Sequence, residues 1–146
     1  MLISYHLPTV FVPGSSPVEN AEVLKQLVEN LINIDMIHMK HHPETPELRS
    51  KDFGVVYGRT DEWMSIPSLW MNGFGDCKSL TAMRVAQLRC KGRVAKPVFR
   101  FRANARGGTD YHILVQTAIN TFEDPSKECG MNDEDPWAHI TLRLAG

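Results

Sequence analysis

The stretch "GFGDCKSLTAMRVAQLRCKG", residues 73–92, predicts a buried helix with a cysteine in its first turn. Asp76 is a residue type typical of an N-cap, and Gly92 supplies a C-terminal stop just after Cys90. Seven of the eleven residues that end at Cys90 are apolar, so the helix should be buried on much of its surface. Cys77 is then expected at the positive end of the helix dipole, a position that favours the thiolate.

A second, longer helix is predicted near the start of the chain. The residues "SPVE" at 16–19 combine an N-cap serine, a proline at the first helical position and a glutamate three residues past the cap. We expect a helix from 17 to 41 that ends before Pro43. Its apolar residues recur at spacings of three and four, which is the pattern of one buried face: Val23, Leu24, Leu27, Val28, Leu31, Ile34 and Met36 or Ile37.

The segment 43–74, between the two helices, mixes proline, glycine, charged and aromatic residues without a sustained period. We predict a long, partly ordered loop, and long loops inside a compact domain are often functional. Trp63 and Trp70 should pack this loop onto the body of the domain, or else wall a substrate groove.

Strands follow the second helix. The runs "VAKPVFRF" (94–101), "YHILVQT" (111–117) and "TFED" (121–124) each have strand character, and the segment 104–110 reads as a connection. The predicted fold class is therefore α+β, with helices followed by an antiparallel meander. The length of 146 residues indicates a single domain, 1–146.

Composition excludes several classes of function. The formal net charge is -1, so electrostatics predict no nucleic-acid partner and no membrane partner. The three cysteines are widely spaced and odd in number, which predicts neither a disulfide framework nor a zinc site. The first residues lack the pattern of a signal peptide, so we expect a protein that is not secreted by that route and keeps its thiols reduced.

Thiol catalysis requires three kinds of side chain, and the chain supplies them in the order Cys77, His112, Asp124. A cysteine nucleophile needs a histidine to take up and return its proton, and a carboxylate or amide to fix the imidazole tautomer. Each residue also has an ordinary interpretation, as a small buried thiol, a satisfied strand histidine and a turn carboxylate. Their combination in one small domain favours the catalytic interpretation.

The contact between His112 and Asp124 depends on the register of the last hairpin. A three-residue loop at 118–120, with its last residue in the left-handed conformation, would place Asp124 opposite Leu114 and on the face of His112. A two-residue loop would instead place Asp124 opposite Val115 and turn it to the other face.

Other candidate side chains have simpler explanations. His38, His41 and His42 have helical spacings that could hold a metal, but histidines near a helix C-terminus are favourable for the dipole alone, so we predict no metal site. Cys90 is expected to lie deep in its apolar helix and to be inert. Cys129 is expected in an exposed loop near Asp124.

The three residues and their surroundings resemble the transglutaminase-like superfamily, which shares the papain-like cysteine protease fold. The "GDC" helix start, the helix-ending glycine and the "AKPV" strand at 95–98 look like those of the family. From "VVYGRTDEWMSIP" to "FEDPSKECGM", residues 55–131, the chain is similar to small transglutaminase-like proteins of tailed phages and prophages. In these relatives acidic residues often follow the cysteine, whereas Lys78 and Ser79 stand here; a lysine at that position would lower the cysteine pKa.

The resemblance implies a fold and an activity. The fold would place Cys77 at the start of a central helix packed on an antiparallel sheet that carries His112 and Asp124. The activity would be thiol-dependent acyl transfer on protein or peptide amides, of the protease, deamidase or transglutaminase type, without a cofactor. One oxyanion donor would be the backbone N–H of Cys77, and the candidates for the second donor or for the substrate groove are Trp63, Trp70 and Asn72.

The resemblance also bears on partners and location. It implies a protein or peptide substrate, with other phage structural proteins as further partners, and a location in the cytoplasm of a bacterial host or in the virion. The alternative is a catalytically silent module that keeps the fold and serves as a virion or assembly component.

Overall fold

A computed structural model describes residues 4–6, 14–103, 105–107, 109–132 and 141–142, the first and last of these as backbone only. Among the described helices, none is both long enough and apolar enough to cross a bilayer. The helices are α1 (Pro17–His41), α2 (Ile66–Asn72), α3 (Cys77–Cys90) and α4 (Pro125–Glu128). The strands are β1 (Ser4–His6), β2 (Val56–Tyr57), β3 (Glu62–Met64), β4 (Phe74–Gly75), β5 (Lys96–Ala103), β6 (Thr109–Ala118), β7 (Thr121–Glu123) and β8 (Thr141–Leu142).

The first helix begins and ends where the sequence predicts. Ser16 and Glu19 form a reciprocal capping box, in which the Ser16 hydroxyl accepts from the Glu19 N–H and the Glu19 carboxylate accepts from the Ser16 N–H, both at 3.1 Å. One line of α1 is fully buried and packs against α3 and the sheet. The buried Asp35 carboxylate accepts from the Ile66 N–H at 2.9 Å and so fixes the start of α2 against α1.

The cysteine helix α3 is also confirmed. Asp76 is its N-cap and accepts from the Lys78 N–H at 3.2 Å, and every residue from 79 to 88 is buried. The prediction for Cys90 is wrong, because this residue lies in the last turn of the helix, where the chain has reached the surface, and is exposed. Burial therefore ends two residues before the helix does.

The fold class is α+β, with a four-stranded antiparallel sheet in the order β7-β6-β5-β8. Phe99, Ile113 and Val115 point to one face and pack into the core that contains α1 and α3. Because side chains alternate along a strand, His112 projects from the opposite face, where Arg100 is its direct partner across the ladder.

The hairpin between β6 and β7 differs in detail from the prediction. Its loop has two residues rather than three, since Ala118 pairs with Thr121, and so the predicted pairing of Thr117 with Thr121 is wrong. A one-residue shift of the ladder lies between Gln116 and Ala118, after which Val115 pairs with Glu123. The register beyond this bulge is the one that a three-residue loop would have produced.

The predicted loop 43–74 contains more regular structure than expected. It holds β2, β3, α2 and, at its end, the first residue of β4, and β2 and β4 form a short parallel pair in which Tyr57 lies beside Gly75. These strands have two or three residues, too few for a period in the sequence to reveal them. Gly75 is required by close packing, because a Cβ added there would lie 2.3 Å from a side-chain carbon of Leu69.

Candidate active site

Cys77 and His112 line one cleft of about 630 Å³. The remaining lining is mainly polar and carries both signs of charge, with Arg59 and Arg102 as cations and Asp61 and Asp110 as anions among its contributors. The structure thus brings the predicted nucleophile and the predicted base to the same concave surface.

The predicted contact between His112 and Asp124 is present. The Nε2 nitrogen of the buried His112 lies 3.0 Å from Oδ2 of Asp124. The other carboxylate oxygen, Oδ1, accepts from the Lys127 N–H at 3.2 Å, which makes Asp124 the N-cap of α4. Burial raises the pKa of the Asp124 carboxyl, but the hydrogen bond and charge of His112, together with Lys127, outweigh it, so the pKa lies below its usual value.

The Cys77 sulfur lies at the edge of β6. The backbone N–H of Ile113 hydrogen-bonds this sulfur, and one turn along α3 the Thr81 hydroxyl donates to the Ile113 carbonyl at 3.2 Å. The Ile113 nitrogen is two covalent bonds from the Cα of His112. The first turn of α3 therefore runs along the open edge of β6 beyond the end of β7, which explains how Cys77 can share a cleft with a side chain of the opposite sheet face.

The electrostatic environment of Cys77 differs from the expectation. Burial, followed by the charge of Asp76, raises the pKa of the Cys77 thiol to about 12, while Lys78 and the Ile113 N–H act in the lowering direction. The predicted effect of Lys78 has the correct sign, but it is smaller than the opposing effects. The pKa of the Cys77 thiol thus lies above its ordinary value although the residue is at the start of a helix.

Lys78 links Asp76 and Thr60 of the cleft lining and also lies near Trp63, which is outside that lining. Its ammonium group pairs with the Asp76 carboxylate, donates to the Thr60 carbonyl at 2.7 Å and lies 5.6 Å from the centre of the Trp63 ring. Burial raises the pKa of Asp76 above its usual value against the effect of Lys78. The lysine therefore ties the segment before β3 to the start of α3.

The three candidates for the oxyanion hole or groove lie outside the described lining of this cleft. Trp63 is buried in the core cluster against which Cys77 packs. Trp70 is 41% exposed on α2 and packs against Phe53 in a tilted arrangement, with ring centres 5.3 Å apart. The Asn72 side-chain amide donates to the Ser68 carbonyl within the same helix at 2.8 Å.

Sequence reasoning missed a charged clamp next to Asp124. The buried guanidinium of Arg84 on α3 donates to both oxygens of Glu123, at 2.8 and 3.1 Å, and to Glu47 at 3.0 Å. Arg49 binds Glu123 from outside at 2.9 Å. An arginine in the middle of an apolar run, with Met83 and Val85 on either side, was the available signal, because a buried charge needs a partner.

Sequence reasoning also missed Tyr57 and Arg59. Tyr57 lines the cleft, accepts a side-chain hydrogen bond from Arg59, and is close enough to Cys77 and Asp76 to be affected by their charges. Its backbone is held by β4 and by a hydrogen bond from its N–H to the Cys129 carbonyl at 2.9 Å. Burial, then the charge of Cys77, raise the pKa of the Tyr57 hydroxyl, so it keeps its proton at neutral pH.

The remaining candidate side chains lie elsewhere. His38 and His42 stack with ring centres 4.6 Å apart near the end of α1, and the described residues contain no group of three metal-ligating side chains. Cys129 is half-buried rather than exposed, and packs against an apolar cluster that includes Phe53, Met64 and Leu69. Burial raises the pKa of its thiol to about 11.

Comparison of the chain with known proteins gives no match. No protein-family model matches it, and neither do any curated protein or any solved structure. The class of the fold follows from the structure itself, and the function is inferred from the geometry of the cleft.

Proposed function

We propose that this protein is a cysteine hydrolase or acyltransferase that acts on protein or peptide amides. The observation that carries the proposal is the shared cleft of Cys77 and His112, in which His112 is held by Asp124 at 3.0 Å. A thiol at the first position of a helix, an imidazole in the same cleft and a carboxylate that orients the imidazole are parts that nucleophilic thiol catalysis requires.

The proposed reaction has two stages. The Cys77 sulfur attacks the amide carbonyl carbon while its proton passes to Nδ1 of His112, because Nε2 already faces Asp124. His112 then protonates the leaving amine as the carbon–nitrogen bond breaks, which leaves a thioester on Cys77. Water or a second amine attacks this thioester and releases the acid or the new amide.

The raised pKa of Cys77 is compatible with this scheme. A lone thiolate is disfavoured at this half-buried position next to Asp76, which is why the thiol pKa reaches about 12. In the proposed step the proton is transferred to His112, and the resulting imidazolium is stabilised by Asp124, so the two charges compensate each other. The N–H of Cys77 is free of intrahelical acceptors at this first helical position and is proposed as one oxyanion donor.

The order of the elements supports membership of the transglutaminase-like superfamily. The helix of Cys77 precedes the strand of His112, and Asp124 follows the next strand, which is the arrangement that the resemblance implies. We include in the proposal a protein or peptide substrate and a phage or prophage context.

A second candidate function is a silent module that keeps this fold as a virion or assembly component. The raised pKa of Cys77 is the observation that favours it, because a thiol that stays protonated is a poor nucleophile. The two candidates predict opposite reactivities for Cys77.

Labelling with iodoacetamide at pH 7, read residue by residue by mass spectrometry, distinguishes the two. The enzyme proposal predicts that Cys77 is alkylated faster than Cys90, although Cys90 is the more exposed thiol. His112→Ala should slow labelling of Cys77 by about tenfold or more and leave Cys90 unchanged. Cys77 labelling slower than that of Cys90, or unaffected by His112→Ala, would favour the silent module.

A second measurement separates hydrolysis from transfer. A casein digest is incubated with the protein with and without a fluorescent primary amine, and ammonia release, new amino termini and amine incorporation are followed. Cys77→Ser is the blank. Incorporated amine indicates a transferase, new amino termini a protease, and ammonia without either a deamidase.

A further inference from the structure

We infer that the Tyr57 hydroxyl is the second oxyanion donor of the cleft, acting opposite the backbone N–H of Cys77. This inference rests on the proposed acyl-transfer function and extends it to a residue outside the Cys77, His112 and Asp124 set. It concerns the oxygen of the substrate carbonyl, which becomes negatively charged when the sulfur adds to the carbon.

The parallel pair β2–β4 positions Tyr57 for this role. Tyr57 lies beside Gly75, and Gly75 is two residues before Cys77 in the chain. The next residue, Gly58, donates its N–H to the Gly75 carbonyl at 2.9 Å, so the backbone on both sides of the tyrosine is fixed relative to the start of α3. A backbone held in this way reduces the reorganisation that is needed when charge develops.

The chemistry of Tyr57 also suits the role. Arg59 donates a hydrogen bond to the Tyr57 oxygen, which polarises the hydroxyl and strengthens it as a donor. The hydroxyl is protonated at neutral pH, because burial and the nearby charges of Cys77 and Asp76 raise its pKa. Tyr57 can therefore donate to an oxyanion without competing for the thiol proton.

Three other polar side chains of the described lining already have other partners. The Tyr111 hydroxyl accepts from the Asn20 amide of α1 at 3.1 Å, and its ring packs against the core. The Thr60 hydroxyl oxygen accepts from the Glu62 N–H at 3.1 Å, and Arg102 pairs with Asp110 at 3.7 Å. Tyr57 is the lining hydroxyl whose environment includes the charge of Cys77.

Two reactions of the same sulfur test the inference. In acetylation by p-nitrophenyl acetate, the Cys77 sulfur bonds to the carbonyl carbon, the carbonyl electron pair moves to oxygen, and the thiol proton passes to His112. When the carbonyl re-forms, the bond to p-nitrophenolate breaks and the acetyl group stays on sulfur. Alkylation by iodoacetamide displaces iodide from a saturated carbon and creates no oxyanion.

Tyr57→Phe removes the hydroxyl and little else. We expect it to slow acetylation of Cys77 by about 100-fold, the effect of losing one oxyanion donor, while alkylation changes less than about twofold. Arg59→Met, at an exposed position, should slow acetylation by a smaller factor and also spare alkylation. Tyr111→Phe, which removes the tyrosine hydroxyl that accepts from Asn20, is the matched control and should slow acetylation much less than Tyr57→Phe.

The outcomes distinguish a failure of the Tyr57 inference from a failure of the acyl-transfer proposal. Equal slowing of both reactions by Tyr57→Phe, or no slowing of either, would overturn the role of Tyr57 and leave the acyl-transfer proposal standing. Acetylation of Cys77 in the unmodified protein no faster than that of the exposed Cys90 would instead overturn the acyl-transfer proposal, and the role of Tyr57 with it. If Tyr57→Phe does not fold, Arg59→Met decides by the same comparison.

Discussion

His112 and Asp124 are in hydrogen-bond contact, 3.0 Å apart, across a ladder whose register shifts by one residue between them and the turn. Without that shift, the two-residue loop would turn Asp124 to the opposite face of the sheet. The bulge is therefore what unites the imidazole with the carboxylate.

Asp124 should tolerate replacement by asparagine better than by alanine. Asn can still accept from the Lys127 N–H as an N-cap and still bond His112, whereas Ala loses both contacts. We expect Asp124→Ala to lower the free energy of unfolding in urea by about 1 kcal/mol through the lost cap alone. Asp124→Asn should lower the free energy of unfolding by less than half of that amount.

The same asparagine variant should remain a better thiol catalyst than His112→Ala. Asp124 orients the base, while the base itself carries the proton. Cys77 should therefore be acetylated about tenfold faster in Asp124→Asn than in His112→Ala. A larger loss in Asp124→Asn, with unfolding unchanged, would contradict the orienting role.

The pH dependence of Cys77 alkylation should reveal the proton acceptor. In His112→Ala the thiol has no imidazole partner, so its rate should rise about tenfold per pH unit from pH 7 toward the raised pKa of about 12. In the unmodified protein the thiolate formed by transfer to His112 should add a plateau near neutral pH. If the two proteins had the same pH profile of alkylation, the proposed ion pair between the Cys77 thiolate and the His112 imidazolium would be refuted.

Glu123 should make the protein sensitive to acid. The hydrogen bond from Arg84, opposed by burial and helped by nearby arginine charges, holds the pKa of Glu123 below its ordinary value of 4.5. A depressed carboxyl pKa contributes stability above the unfolded-state value, and this contribution is lost as pH falls through the folded-state value. Between about pH 5 and pH 3, Glu123→Gln should therefore lose less unfolding free energy than the unmodified protein.

At pH 7 Glu123 should stabilise the folded protein through Arg84. Glu123→Gln leaves the buried Arg84 without its bidentate partner, and we expect a loss of about 3 kcal/mol in urea unfolding. Glu128→Gln, which breaks only the exposed pair with Arg49, is the matched control and should cost about 0.5 kcal/mol. Equal losses in the two variants would show that the clamp contributes no more than a surface pair.

Gly75→Ala should disturb the packing beneath the cysteine. The added carbon would overlap the buried Leu69 side chain at 2.3 Å, and overpacking of this kind costs about 1–3 kcal/mol. In a Leu69→Ala background the same change should cost less, because the overlapping atoms are gone. A double-mutant cycle in urea measures this difference, and additivity would argue against the overlap.

The long helices could be predicted because several independent signals agree. Ser16, Pro17 and Glu19 mark one helix start and Asp76 marks the other, and each start precedes a run with helical spacing or dense apolar content. The strands β5 and β6 were predicted for the same reason, with ends shifted by a few residues.

The other features depend on contacts that are distant in sequence. The pairing of β2 with β4 joins two-residue segments, so no local period reveals it, and Tyr57 was missed as a result. The bulge near Thr117 leaves no mark in residue type, and two equally plausible loops gave opposite faces for Asp124. Cys90 was misplaced because apolar content describes a whole helix and does not show where its end emerges.

The helix α3 carries Cys77 at its first position and Arg84 two turns later, and Arg84 grips the residue next to Asp124. The same helix thus positions both the Cys77 thiol and the segment that carries Asp124. A displacement of α3 moves Cys77 and Asp124 together, so the distance between them fluctuates less than it would if the sheet and the helix moved independently.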